Sequence, residues 1–208
     1  MAVITISREE GSHGDAIADQ LCEHLGYCRV DKSMLTQIAQ EAGVNVEAVL
    51  EKERSVANKP RLISSQMTSL YGRKPSAFGK GGGMDDQTYA RIVQETMERF
   101  AGEGNAVIIG RGGQMVLRDW PTALHVHLYA PLPVRIERTM ARHQLSELEA
   151  KRRISGSDER KRWYVRQAHG NANWKDLKHY HLAINTAHLS SETAAEMIIQ
   201  AAKSLDPK

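Results

Sequence analysis

The first eighteen residues constrain the fold of this chain more than any other stretch. An apolar, β-branched run at residues 2–6 leads into a polar loop, residues 7–15, that contains Gly11 and Gly14. A helical pattern follows at once, and its apolar face comprises Ile17, Ala18, Leu21, Cys22 and Leu25. Strand, glycine loop and helix, in that order, form the layout of a phosphate-binding turn, because the loop amides and the helix dipole both favour an anion.

The loop does not carry the complete phosphate-binding motif. A P-loop reads G-x-x-x-x-G-K-[ST], and no lysine lies between Ile6 and Ala18. Backbone N–H groups can still bind phosphate without the lysine. The loop nevertheless lacks the lysine that contacts the β- and γ-phosphates and the hydroxyl that contacts Mg²⁺ in a P-loop. Two interpretations therefore stand at this point: a phosphate-binding turn, or an ordinary strand-to-helix turn with two glycines.

The length of the chain fits one α/β domain, with or without a small insertion, and its charge is near balance. The 208 residues carry a formal net charge of +3, so there is no global nucleic-acid signal. No apolar run reaches the length of a membrane span, and the first residues lack a signal-peptide pattern. Cys22 and Cys28 suit reduced thiols, so we expect a cytoplasmic protein that does not associate with membranes. The scattered histidines do not have the spacing of a zinc site.

Further strands alternate with helices along the chain. Apolar or β-branched runs at residues 27–30, 106–109, 123–130 and 181–185 predict strands, with amphipathic helices between them. This alternation predicts a mainly parallel sheet with helices on both faces. Gly11, Asp31 and Arg111 each follow a predicted strand, so the fold brings them to one edge, where ligands bind in such sheets. Asp31 is equally well placed to cap the helix that follows it.

Two segments depart from this alternation. Residues 44–88 predict short helices at 46–53 and 62–70, then a basic, glycine-rich stretch at 71–83 that either closes over a substrate or is a disordered surface loop. Residues 148–168 predict a long charged helix that Gly156 and its flanking serines break in two. We interpret its basic run first as a lid over a ligand, second as a solvated face, and third as a nucleic-acid contact, so nucleic acid is not an expected partner.

Four short motifs, in the same order, give a specific resemblance. They are Ile6-Ser7-Arg8-Glu9, Asp31-Lys32, Gly110-Arg111-Gly112 and Asn185-Thr186. The chain resembles the cytidylate-kinase-like branch of the P-loop nucleoside monophosphate kinases. The resemblance implies one three-layer P-loop NTPase domain over residues 1–208, with a helical acceptor-side insertion at 44–88 and an arginine-rich lid at 146–170. It further implies ATP with Mg²⁺ and phosphoryl transfer to a nucleoside monophosphate or a related small acceptor.

The resemblance also assigns site residues, position by position. The donor phosphates would be bound by Arg8, Gly11, Ser12, His13, Gly14 and Asp15, with Asp15 also on Mg²⁺. Asp31 and Arg111 would bind the acceptor. Arg8, Arg138, Arg160 and Arg162 would act on the transferring group, because a phosphoryl transition state needs positioned cations.

The loop departs from the family pattern in ways that leave a second function open. Aligned without gaps from Ile4, Arg8 stands at the first P-loop glycine, His13 at the last, Gly14 at the lysine and Asp15 at the Ser/Thr. Gly112 replaces the aspartate of the family's Gly-Arg-Asp turn. Carboxylates at residues 9, 10 and 15 would repel a triphosphate if they were unpaired and no metal intervened. The alternative is a non-catalytic sensor of nucleotide or phosphate.

Overall fold

The computed structural model describes residues 2–57 and 83–205. The predicted helix at residues 62–70 and the glycine-rich stretch up to residue 82 lie outside the described residues.

A five-stranded parallel sheet forms the centre of the fold. Its strands are β1 (Val3–Arg8), β2 (Cys28–Val30), β3 (Ala106–Ile109), β4 (Ala123–Tyr129) and β5 (Leu182–Asn185). They lie in the order β2-β3-β1-β4-β5, and Ile6 of β1 is in register with Ile109 on one side and Val126 on the other. β3 is completely buried, as expected for a continuous apolar run in a central parallel strand. The predicted parallel α/β architecture is confirmed.

Helices cover both faces of the sheet. They are α1 (Gly14–Leu25), α2 (Lys32–Glu41), α3 (Val46–Ala57), α4 (Gly83–Glu103), α5 (Gly113–Val116), α6 (Leu132–His143), α7 (Glu147–Ala168) and α8 (Ser191–Leu205). The apolar side chains of Ile4 and Ile6 pack under α1 and α8, whereas Val3 and Ile108 point to the opposite core beneath α2 to α4. The fold is therefore a three-layer P-loop arrangement. None of the described helices is long and apolar enough to cross a membrane.

Helix α7 is continuous, so the predicted break at Gly156 is wrong. A capping box starts the helix: the Ser146 side chain accepts a hydrogen bond from the backbone N–H of Glu149, and the Glu149 side chain accepts one from the N–H of Ser146. Gly156 lies on the buried side of the helix together with Ile154 and Ser157. Tertiary packing of this face outweighs the low helix propensity of one glycine. The four-residue helix α5 was not predicted, because it is too short to show a period.

Candidate phosphate-handling site

A cleft of about 310 Å³ opens where the strands end. The loop between β1 and α1, the turn after β3, and helices α6 and α7 form its walls. The predicted site residues that line it are Arg8, Gly11, His13, Gly14, Asp15, Arg111, Arg138 and Arg160. The structure thus brings together side chains from four distant parts of the chain. Ser12, Asp31 and Arg162 are not among the lining residues.

The loop after β1 adopts an open, strained conformation. Gly11 has a φ of +82° and His13 a φ of +58°, both in the left-handed region. A β-carbon at Gly11 would lie 2.7 Å from the carbonyl oxygen of Arg135 in α6, so only glycine fits there. Among the described residues, the N–H groups of His13, Gly14 and Asp15 have no hydrogen-bond acceptor. These donors, at the positive end of α1, are a suitable cradle for an oxyanion.

The three carboxylates of the loop are all paired. Glu9 forms ion pairs with Arg135, at 3.1 Å, and with Lys175. Glu10 accepts hydrogen bonds from Arg153 Nε and Ser157 Oγ, both at 3.1 Å. Burial alone would raise the pKa of Glu10, but the charges of Lys161 and Arg153 hold it below its ordinary value.

Asp15, the third of these carboxylates, lies between Arg8 and Arg29. Its Oδ1 is 3.3 Å from Nη2 of Arg8 and 3.4 Å from Nη2 of Arg29. With all three acids paired, the loop does not present the uncompensated negative charge that would repel a triphosphate.

Arg111 occupies the turn after β3 and is almost fully buried. Its Nη1 donates to the buried carboxylate of Glu53, and its guanidinium lies 4.2 Å from the ring centroid of Tyr164 and 5.3 Å from that of Tyr89. The Nε and Nη2 atoms are buried and have no partner among the described residues. Since buried N–H donors are almost always satisfied, these two donors are open to an acceptor from outside the described residues.

Glu53 also accepts a hydrogen bond from Lys32 Nζ at 2.7 Å. Burial would raise the pKa of Glu53, but Arg111 and Lys32 together hold it below its ordinary value. Sequence reasoning missed this residue. Glu53 sits in the charged run Glu51-Lys52-Glu53-Arg54 and is indistinguishable there from a surface glutamate.

The glycine that follows Arg111 has no room for a side chain. Gly112 has a φ of +72°, and a β-carbon there would lie 2.3 Å from Nε2 of His169. The imidazole of His169 therefore fills the place where the family's aspartate would project. No sequence signal pointed to His169, because it lies 57 residues away along the chain (169 − 112).

Arg138 is held by the end of β5. Its Nη1 and Nη2 donate to the hydroxyl and the carbonyl of Thr186 at 3.1 and 2.7 Å. The Thr186 hydroxyl in turn donates to the carbonyl of Ser12 at 3.1 Å. One buried threonine thus joins α6 and β5 to the loop, which explains why the Asn-Thr motif belongs with this site.

Helix α7 contributes Arg160 and Lys161 to the cleft, but not Arg162. Arg162 donates to Glu159 at 2.6 Å and lines a separate, shallow groove between α6 and α7. Lys161 was not singled out from the sequence. Burial, reinforced by the charge of Arg8, lowers the pKa of Lys161 to about 8.

Asp31 caps helix α2. Its carboxylate accepts hydrogen bonds from the N–H groups of Ser33 and Met34 at 2.9 and 3.2 Å, and Arg29 Nε donates to it at 3.2 Å. Although burial would raise the pKa of Asp31, these contacts hold it below its ordinary value. The helix-cap interpretation is confirmed.

Comparison with known proteins relates the chain to kinases. The sequence model described as the cytidylate kinase-like family matches residues 3–188. A curated cytidylate kinase of Pyrococcus horikoshii is 27% identical over 206 residues, covering 99% of this chain and 90% of that protein. A crystal structure of an uncharacterized protein from Eubacterium ventriosum has a TM-score of 0.67 at 21% identity, covering 98% of this chain and 99% of that chain. Shikimate kinase from Acinetobacter baumannii, in complex with shikimate, has a TM-score of 0.52 at 17% identity, covering 100% and 96%.

Proposed function

Because this chain belongs to the cytidylate kinase-like family, we propose that it uses ATP and Mg²⁺ to phosphorylate a nucleoside monophosphate or a related small anionic acceptor. A phosphotransferase of this kind needs a cradle for the donor phosphates, a cation for the acceptor and further cations around the transferring group. The cleft contains groups suited to each of these tasks.

The buried guanidinium of Arg111 is the observation that carries the proposal. Glu53 holds one edge of this guanidinium, and the rings of Tyr89 and Tyr164 pack against it. The guanidinium is therefore already positioned before any ligand binds. The two remaining donors, Nε and Nη2, match the fork geometry with which arginine binds phosphate. We assign Arg111 to the anionic group of the acceptor.

The donor phosphates are assigned to the loop between β1 and α1. The free N–H groups at His13, Gly14 and Asp15 would bind their oxygens, with Arg138 and Arg160 on the flanks of the cleft. Mg²⁺ fits this donor set, because it binds through one or two carboxylates, phosphate oxygens and water, and Asp15 provides a half-exposed carboxylate in the cleft. When bound, the metal would neutralise charge on the transferring phosphoryl group.

The acceptor side is assigned to the region between the turn after β3 and helix α3. Glu53, which orients Arg111, belongs to the insertion predicted at residues 44–88. His169 fills the place beside Gly112 where the aspartate of the family's Gly-Arg-Asp turn would project. This chain therefore has no carboxylate there that could bind the acceptor base. The proposal therefore covers nucleoside monophosphates as a class and does not favour cytidylate.

The test is a phosphoryl-transfer assay with ATP–Mg²⁺ and a panel of ribo- and deoxyribonucleoside monophosphates, with products identified by mass spectrometry. We expect transfer to at least one acceptor. The variant Arg111→Met should raise the KM for that acceptor far more than the KM for ATP. The control is Arg91→Met, which removes an exposed arginine of α4 that pairs with Glu95 on the same helix.

Absence of both transfer and ATP hydrolysis would refute the proposal. Tight nucleotide binding without turnover would instead favour a non-catalytic sensor. A phosphorylated product whose acceptor KM does not respond to Arg111→Met would retain the kinase but remove the role assigned to Arg111.

A further inference from the structure

We propose that Arg8 and Gly14 have exchanged the roles that a P-loop gives to its first glycine and its lysine, so that the cation for the donor β- and γ-phosphates comes from the end of β1. This inference rests on the proposed phosphotransferase function and assigns a residue pair within it. Arg8 stands at the position of the first glycine, and Gly14 stands at the position of the lysine.

The two residues share one volume. A β-carbon built on Gly14 would lie 2.5 Å from both Cβ and Cγ of Arg8, much closer than carbon atoms can approach. The φ of Gly14 is not in the left-handed region, since it is the first residue of α1, so its backbone would accept any side chain. A β-carbon at residue 14 would therefore collide with the stem of Arg8.

The guanidinium of Arg8 projects into the cleft. Its Nη2 lies 3.3 Å from Asp15, the residue at the Ser/Thr position of the motif. Its Nη1 would be 2.8 Å from a β-carbon at Gly110, where β3 ends. The charge thus lies between the start of α1 and the end of β3, beside the free loop amides.

The charge of Arg8 is available to a ligand. Its ion pair with Asp15 is long, and Asp15 is shared with Arg29, so the guanidinium is incompletely compensated. The effect of this charge extends to α7, where Arg8 is the largest charge contribution that lowers the pKa of Lys161. A phosphate placed among these groups would relieve their mutual repulsion.

A swap of the two side chains tests the inference directly. Arg8→Gly should reduce phosphoryl transfer about 100-fold, as expected when one preorganised donor is lost. Gly14→Lys alone should lower the melting temperature, because its side chain collides with the stem of Arg8. The double variant Arg8→Gly/Gly14→Lys should regain at least about tenfold of the lost rate, because it restores the first glycine and the lysine of an ordinary P-loop.

Two variants separate charge from volume. Arg8→Ala/Gly14→Lys should not be rescued, because the β-carbon that remains at residue 8 still lies 2.5 Å from the one introduced at residue 14. Arg8→Gln keeps the stem over Gly14 and removes only the charge, so it should fold normally and lose as much activity as Arg8→Gly. Arg91→Gln, on the exposed face of α4, is the control for loss of an arginine elsewhere.

Binding of Mg²⁺–tripolyphosphate, measured by calorimetry, keeps this inference separate from the kinase proposal. If the wild type phosphorylates no acceptor, the proposed function fails, and tripolyphosphate binding by wild type and Arg8→Gln still decides the role of Arg8. The inference is overturned if Arg8→Gln binds and transfers like wild type, or if the folded double variant is no better than Arg8→Gly. It is also overturned if the wild type does not bind tripolyphosphate.

Discussion

Two buried histidines should make the protein sensitive to mild acid. His125 and His127 of β4 are each only 3% exposed, and burial lowers the pKa of both from 6.5 to about 4. The Nε2 of His125 lies 3.2 Å from the carbonyl of Leu117 and must donate to it, so Nδ1 accepts from the Thr5 hydroxyl at 2.8 Å. A second proton would turn Nδ1 into a donor to the Thr5 hydroxyl, so what opposes it is the burial of the charge and the neighbouring His181.

His127 is buried among aromatic rings, and charges of both signs act on it. Its ring packs against the rings of Tyr129, Trp174 and Tyr180, and among the described residues its buried Nδ1 has no partner. Protonation would place a positive charge in this aromatic cluster. The carboxylates of Glu9 and Asp158 favour that charge and the cation of Lys175 opposes it, but the cost of burial is the largest effect and keeps the pKa low.

The sign and size of the effect follow from linkage. A folded pKa below the unfolded one means that the unfolded chain binds more protons between pH 6.5 and 4, so stability is fully present above pH 6.5 and falls as the pH drops to 4. At pH 5 each histidine should remove about 2 kcal/mol from the free energy of unfolding, and at full protonation about 3 kcal/mol. Both losses together are comparable to the whole stability of many domains.

Urea unfolding at pH 8, 7, 6 and 5, followed by tryptophan fluorescence, measures this loss. His127→Phe keeps an aromatic ring and removes the titration, so it should reduce the loss between pH 8 and pH 5 by about half. His188→Gln, at an exposed position, should leave the loss unchanged. A wild-type loss below about 1 kcal/mol, or a His127→Phe curve parallel to wild type, would refute the reasoning.

Three further predictions concern the cleft. Gly11→Ala should lower the free energy of unfolding by at least about 2 kcal/mol in urea titrations, because the φ of +82° and the backbone of α6 both oppose a β-carbon; Gly26→Ala, with a φ of +67° but open space around it, should lose only about 1 kcal/mol. Glu53→Gln should lower the free energy of unfolding by about 3 kcal/mol, because the buried guanidinium of Arg111 loses its carboxylate partner. Since Lys161 is about half neutral at pH 8, binding of an anion there should take up about half a proton, seen as a buffer-dependent binding enthalpy that Lys161→Met abolishes.

Each of these has a distinct contrary result. Equal losses for the two glycine variants would remove the argument from the backbone contact at residue 11. A Glu53→Gln protein as stable as wild type would mean that Arg111 does not depend on its carboxylate. Proton uptake that persists in Lys161→Met would assign the linkage to another group.

The sequence predicted the parts of the site that follow from local patterns. The four apolar residues of β3 form the short continuous run expected of a buried central strand, and the turns after parallel strands meet at one edge, so Gly11 and Arg111 could be placed together. The helix α7 shows where such reasoning stops. Lys161 is four residues beyond the buried Ser157, so the two side chains lie on the same face of α7. Arg162 is the next residue along the helix, so its side chain is turned away from that face and towards α6.

Other features depend on tertiary contacts that no local pattern encodes. A glutamate in a charged helix becomes the anchor of Arg111 only because α3 packs against α7 beside the turn after β3. His169 can fill the space at Gly112 only after α7 has docked. The pairing of Glu9 and Glu10 likewise depends on α6, α7 and the segment that follows, so their combined charge could not be judged from the sequence.

The hydroxyl of Thr186 joins a segment that is synthesised late to the loop after β1, which is synthesised much earlier. During synthesis from the amino terminus, residue 12 leaves the ribosome long before residue 186 exists, so nothing can hold its carbonyl from the β5 side until residue 186 has been made. In a chain that folds while it is being made, this contact across 174 residues can therefore form only after both ends have been synthesised. A nascent chain stalled before β5 would therefore carry the whole loop sequence but lack its brace, and ligand binding by such intermediates would report when the brace has formed.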